Sequence, residues 1–222
     1  GGGPEARQRF ARLPAGERGE VRLCIGHQAF GMHEHIPRAS TYVTILRDPV
    51  ARVVSHYHHV FSEPTHYLHS EVVLKRMTLE RYVRNPFPTD ELDNGQTRML
   101  ADFDLSRSVP IGTQPRELLE SALRNLERHF CAVGLTELFD ESMVLMADAL
   151  GWGAIPPYLP TRVSARGKSE PIPGGIREEI LARNALDVEL YGRVRERVEG
   201  LIEAGGEAFR ARGEGGRERN RR

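Results

Sequence analysis

Residues 41–60, TYVTILRDPVARVVSHYHHV, constrain this chain more than any other stretch. Tyr42–Leu46 is β-branched and apolar with little alternation, the pattern of a strand buried on both faces. The run stops at Arg47. Asp48 has the short acceptor side chain that caps a helix, and Pro49 has the fixed φ that suits a first helical residue. From there Val50, Val53, Val54, Tyr57 and Phe61 recur at helical spacing. A strand covered on both faces needs helices above and below and parallel neighbours. Two further apolar runs, Val21–Ile25 and Cys131–Leu135, supply candidate strands. Helical stripes follow. Pro115 opens one that carries Leu118, Leu119, Ala122, Leu123 and Leu126. Phe139, Met143, Met146 and Leu150 form another, stopped by Gly151 and Gly153. Ile180, Leu186, Leu190, Val194, Val198 and Leu201 mark a long helical region near the C-terminus. Strands alternating with helices predict an α/β sandwich with right-handed crossovers, although three strands are few for such a sheet.

At 222 residues the chain suits one domain. Its 31 basic and 31 acidic residues cancel, so no nucleic-acid partner is expected. Cys24 and Cys131 sit in apolar runs and read as buried free thiols of a reducing compartment. No apolar run reaches the length of a membrane span, so no membrane partner and a cytoplasmic location are expected. Composition divides the chain into a flexible N-terminal segment over 1–20, with a short helix around Pro4–Leu13, a folded domain over 21–202 and a disordered basic tail over 203–222.

In open α/β sheets, ligands bind beyond the carboxyl ends of the strands. Arg47 leaves a strand there, with the hydroxyl of Ser55 on the next helix. A guanidinium fork and a hydroxyl suit a phosphate. On spacing alone the alternative is equally open: Arg47 pairs with Asp48 or Asp93, and Ser55 is a tolerated helix residue. Eight of the nine histidines lie between His27 and His69. His35, His56 and His59 offer a conceivable metal set, since i and i+3 share a helix face. Without Cys or acid ligands at a recognised spacing, no metal is expected.

ILRDPVARVVSHYHH resembles the motif with which carbohydrate sulfotransferases bind the 3′-phosphate of 3′-phosphoadenosine-5′-phosphosulfate, Arg47 and Ser55 falling on its Arg and Ser. CIGHQAFGMHEHIP (Cys24–Pro37), DNGQTRML (Asp93–Leu100) and VGLTELFDESMVLM (Val133–Met146) resemble further segments of that family in the same order. The similarity runs from about Arg7 to Leu201 and is nearest to the group of heparan sulfate and uronosyl 2-O-sulfotransferases and their bacterial relatives. It implies a P-loop-kinase-like three-layer sandwich with a parallel sheet. The family's Pro-Lys-Thr-Gly-x-Thr loop, which cradles the 5′-phosphosulfate, has no match, and the only lysines are Lys75 and Lys168. The sandwich is therefore expected to be N-terminally incomplete and turnover by this chain slow or absent. A non-catalytic nucleotide-binding module is the alternative.

The resemblance also implies roles. His27 matches the catalytic base that deprotonates the acceptor hydroxyl as the S–O bond forms. His33 and His35 would line the acceptor site. Arg98 would either face the cleft or pair with an acid. The loop Thr161–Ser169 would close on the nucleotide through Thr161, Ser164 or Lys168. The donor is 3′-phosphoadenosine-5′-phosphosulfate, without a metal, and the acceptor a hydroxyl, expected on a saccharide. Glu63–Ser70 and Arg84–Asp93 are the loops expected to choose it.

Overall fold

A computed structural model describes residues 4–87, 89–153, 155, 158 and 172–221. Two short helices come first, α1 (Pro4–Arg12) and α2 (Ala15–Glu20), and then β1 (Tyr42–Leu46). Helices α3 (Pro49–Ser62), α4 (His69–Leu74), α5 (Leu79–Arg84), α6 (Gly95–Leu100), α7 (Phe103–Ser108) and α8 (Arg116–His129) separate it from β2 (Phe130–Leu135). The chain continues with α9 (Phe139–Leu150), α10 (Gly174–Arg183) and α11 (Ala185–Arg221). Single 3₁₀ turns cover Met32–His35, Asp90–Leu92 and Thr136–Leu138.

β1 and β2 pair in parallel, with Val43 opposite Ala132 and Leu46 opposite Leu135, and an irregularity between Tyr42 and Val43. The expected α/β class holds, with helix predominating. Among the described residues the sheet has two strands rather than three. Val21–Ile25 lies without a ladder, Leu23 74% and Ile25 82% exposed. The run has strand propensity, but that propensity is realised only against a partner, and none of the described strands pairs with it. β1 is also less covered than its sequence suggests. Leu46 is buried, while Val43 is exposed.

The core has three parts. Leu46, Val133 and Leu135 of the sheet meet Leu118, Leu119, Ala122 and Leu126 of α8 and Leu186, Leu190, Val194 and Val198 of α11. Val50, Val53 and Val60 of α3 pack with Val72, Tyr82, Val83, Ile176 and Ile180. Val144 and Ala147 of α9 meet Ile155 and Phe209. A close approach in the first part is testable. A Cβ on Gly134 of β2 would stand 2.5 Å from Ser142 Cβ. Ser142 cannot yield easily, because its Oγ bonds Leu135 N at 2.8 Å and Leu138 O at 2.7 Å. Gly134→Ala is expected to cost about 1–3 kcal/mol of stability in a denaturant titration. A neutral substitution would mean that α9 shifts freely on the sheet.

Several expectations change with the structure. Residues 4–20 form helices rather than a flexible segment, and α1 is tied down by Arg7, which bonds Phe30 O at 2.9 Å and lies over the Phe103 ring. The region 203–222 is helical through Arg221 instead of a disordered tail. Gly206, at φ 59°, interrupts the helix. Beyond it Phe209 buries against α9, and Arg212 pairs with Asp148 at 3.0 Å. Among the described residues, Phe209 and Arg212 thus tie down a segment whose composition alone reads as disordered. Cys24 and Cys131 are exposed rather than buried: Cys24 lies in the Val21–Ile25 segment that has no ladder, and Cys131 at the irregularity of the β1–β2 pairing. Trp152 is likewise exposed. No helix among the described residues is long and apolar enough to cross a membrane.

Candidate functional site

The carboxyl end of the parallel pair is built by side chains that fix backbone. Asp48 caps α3 by accepting from Ala51 N at 2.8 Å, and Pro49 takes the first helical position. The amide of Gln96 in α6 straddles Arg47: Arg47 N donates to Gln96 Oε1 at 2.8 Å, and Gln96 Nε2 donates to Arg47 O at 2.9 Å. From β2's side, Thr136 Oγ1 donates to Leu46 O at 3.1 Å and Glu137 accepts from Asp48 N at 3.1 Å. The Tyr191 hydroxyl donates to the other oxygen of Glu137 at 3.0 Å. Burial, and then the Glu137 carboxylate, push that phenol well above its usual range, so it stays a donor.

All of this engages the Arg47 backbone, and its guanidinium has no hydrogen bond to a described residue. Arg47 is half-buried, and its Nε is buried without a hydrogen-bond partner among the described residues. The acids that sequence offered as partners are used elsewhere. Asp48 is the helix cap, and Asp93 is paired with Arg98. Ser55, two turns into α3, is half-buried, and its hydroxyl has no hydrogen bond to a described residue. A buried donor left without a partner costs roughly 1–3 kcal/mol. An anion is the ligand that would relieve it.

The DNGQTRML segment does something different from lining an acceptor site. Arg98 is 3% exposed, as is its partner Asp93. All five guanidinium donors are taken: Asp93 O at 2.9 Å, Asp93 Oδ2 at 2.7 Å, and the carbonyls of Ser106, Val109 and Pro110. The expected substrate-binding role is therefore corrected. Arg98 closes the loop after α7 from inside and has no donor left to offer. Asn94, in the left-handed region at φ 52°, accepts from the Leu186 and Asp187 amides at the start of α11. Asp187 does the same at the start of α6, accepting from Gln96 N at 3.1 Å and from Thr97 N and Oγ1 at 2.7 Å. The two helices cap each other.

The remaining candidates are dispersed. His27 is exposed, in a bend rather than at a strand end. His33 lies at the opposite end of β1 from Arg47, roughly 15 Å away by strand rise. Its Nδ1 meets the Tyr42 hydroxyl at 2.8 Å, and its ring sits among Phe30, Tyr42 and His129. Burial and then His129 lower its pKa, so it stays neutral. His33 thus packs at the amino edge of the sheet. His35 is half-buried in the same 3₁₀ turn, and its carbonyl accepts from Arg18 at 2.8 Å. Thr161, Ser164 and Lys168 lie outside the described residues.

A grouping that sequence reading missed surrounds His56, the residue after Ser55. Its Nδ1 meets the Tyr82 hydroxyl at 2.7 Å. Its Nε2 stands 2.9 Å from Glu91 Oε2, off the line of a hydrogen bond. Tyr67 donates to the same carboxylate oxygen at 2.9 Å, and Arg52 holds the turn by bonding Glu91 O. Burial alone would raise the Glu91 carboxyl. His56, then Tyr67 and His66, outweigh it and hold the pKa at about 2. His66 completes the group from the loop after α3. Residues 56, 66 and 91 share no spacing that sequence alone would flag.

Comparison with known proteins agrees with the resemblance carried by these segments. The sequence profile of the galactose-3-O-sulfotransferase family matches residues 16–222. Heparan-sulfate 6-O-sulfotransferase 2 of Gallus gallus is 30% identical over 171 residues, covering 68% of this chain and 42% of that protein. Heparan-sulfate 6-O-sulfotransferase 1 of Homo sapiens is 30% identical over 178 residues, 70% of this chain and 42% of its own length. Galactosylceramide sulfotransferase of Mus musculus is 29% identical over 163 residues, 68% and 36%. The chain thus spans less than half the length of these relatives. The match over residues 16–222 takes in the strand end, the Arg47 clamp and the reciprocal caps alike, and on it the chain belongs to the galactose-3-O-sulfotransferase family.

Proposed function

We propose that this chain is a sulfotransferase domain. It takes the sulfuryl group of 3′-phosphoadenosine-5′-phosphosulfate to a saccharide hydroxyl, with Arg47 and Ser55 holding the 3′-phosphate. The observation that carries the reading is the Arg47 guanidinium. Its backbone is clamped by Gln96, its candidate acids are engaged elsewhere, and its Nε is buried without a partner among the described residues, at the strand end where ligands of parallel sheets bind. The two-stranded sheet would then be part of a P-loop-kinase-like three-layer sandwich. Saccharide-directed relatives support the acceptor class.

In this mechanism an acceptor oxygen attacks sulfur in line. The new O–S bond forms as the bond from sulfur to the bridging phosphate oxygen breaks, and adenosine 3′,5′-bisphosphate leaves. The acceptor proton needs a base of near-neutral pKa, and His27 is the residue at the matching motif position. It is solvent-exposed and free to meet a substrate. Arg47 contributes binding energy and orientation at the end of the nucleotide away from the reacting bond.

Binding of adenosine 3′,5′-bisphosphate tests this directly. Arg47→Ala is expected to weaken it more than tenfold by titration calorimetry, since a charge-assisted contact is worth ~1.5–3 kcal/mol. Equal affinity in parent and variant would remove the 3′-phosphate site, and the donor assignment with it.

A further inference from the structure

We infer that His56, His66 and Glu91 form a binding site for one divalent transition-metal ion, zinc-like in its ligand preference. This site stands independently of the sulfotransferase reading. The three residues come from different elements: α3, the loop between α3 and α4, and the 3₁₀ turn Asp90–Leu92. Each offers one donor atom, and these lie within 4.8 Å of one another. Metal bonds of about 2.0–2.2 Å place tetrahedral donors roughly 3.4 Å apart, so side-chain rotation closes the set. Two imidazoles and a carboxylate suit zinc and its neighbours better than magnesium or calcium, and they leave a fourth position open.

The surroundings are those a metal site needs. His56 Nδ1 meets the Tyr82 hydroxyl at 2.7 Å, and its Nε2 stands 2.9 Å from Glu91 Oε2. Nε2 is buried without a hydrogen-bond partner among the described residues, and a cation bound by Nε2 and the Glu91 carboxylate would supply one. Tyr82 is fully buried, so its contact with Nδ1 holds the imidazole ring plane. Glu91 Oε2 is oriented by Tyr67 at 2.9 Å and Thr89 at 3.3 Å, while Oε1 has no hydrogen bond to a described residue. His66 carries the cost. Its Nδ1 accepts from Leu68 N at 3.2 Å, a long bond, and to ligate through that atom it must give the bond up. Occupancy would pin the loop 63–68 to α3, one residue from Ser55.

The 222-residue chain, stripped with chelator, is titrated with Co²⁺ followed by its visible ligand-field band, and with Zn²⁺ by calorimetry. One saturable equivalent is expected, together with a rise in melting temperature on adding Zn²⁺. Glu91→Gln and His66→Asn should each weaken Co²⁺ and Zn²⁺ at least tenfold. Tyr82→Phe should weaken both less, and His58→Asn, at an exposed position on α3, should leave them unchanged. Circular dichroism establishes which variants are folded. His66→Asn changes a loop residue and decides the matter if Glu91→Gln does not fold. Absence of a saturable equivalent overturns the proposal and leaves His56 and Glu91 as a plain side-chain contact. Parent-like affinity in folded His66→Asn overturns it too.

Discussion

Arg98→Ala is expected to remove about 3–5 kcal/mol of folding stability. The substitution leaves the Asp93 carboxylate inside the protein with Asn94 Nδ2 and Gly112 N as its remaining donors. It also strands three carbonyls that the guanidinium had satisfied, that of Ser106 in α7 and those of Val109 and Pro110 in the loop after it. Breaking a buried pair costs far more than exchanging it whole, because the surviving charge stays desolvated. Arg98→Met combined with Asp93→Leu should therefore be less damaging than Arg98→Ala alone. Guanidinium chloride titrations of the three proteins decide this. A loss below about 1 kcal/mol in Arg98→Ala would mean that water reaches Asp93 and that the interior placement is misjudged.

Asp187→Ala follows, at roughly 3 kcal/mol. Three buried donors at the start of α6 lose their acceptor together, Gln96 N, Thr97 N and Thr97 Oγ1. The effect should reach the nucleotide as well. Gln96 is the residue that clamps the Arg47 backbone through both amide atoms. Loosening α6 leaves the guanidinium less well aimed, so adenosine 3′,5′-bisphosphate should bind more weakly to Asp187→Ala even at a temperature where the variant is fully folded. Asp187→Asn keeps one acceptor and should fall between parent and alanine in both measurements. If stability drops while affinity holds, the caps matter to the fold alone and Gln96 does not position Arg47.

What could be read in the sequence was local. Asp48–Pro49 declares a helix start within two residues, and the valines behind it declare the buried face. The exit of Arg47 from a strand marks where an anion would sit. What could not be read depended on partners far along the chain. Val21–Ile25 has the composition of a strand, but a strand exists only where another edge accepts it. The DNGQTRML segment is conspicuous as a motif. Whether Arg98 faces a cleft or an acid was settled by burial under the loop that follows α7, which no spacing rule contains. His66 and Glu91 carry no sequence signal, because a loop and a 3₁₀ turn bring them to His56. The segment 203–222 misled in the opposite direction. Its glycines and arginines suggest disorder, yet Phe209 and Arg212 are enough to fasten it to α9.

The reciprocal caps of α6 and α11 carry a temporal consequence. Their bonds join residues 90–93 positions apart, so neither helix start is satisfied until the chain between them has closed on itself. Such distant contacts are entropically slow to form. During synthesis the segment that steadies Arg47 must wait for residue 187 to emerge from the ribosome, well after the strand it serves. Anion recognition therefore cannot be established before residue 187 has emerged and folded back on α6.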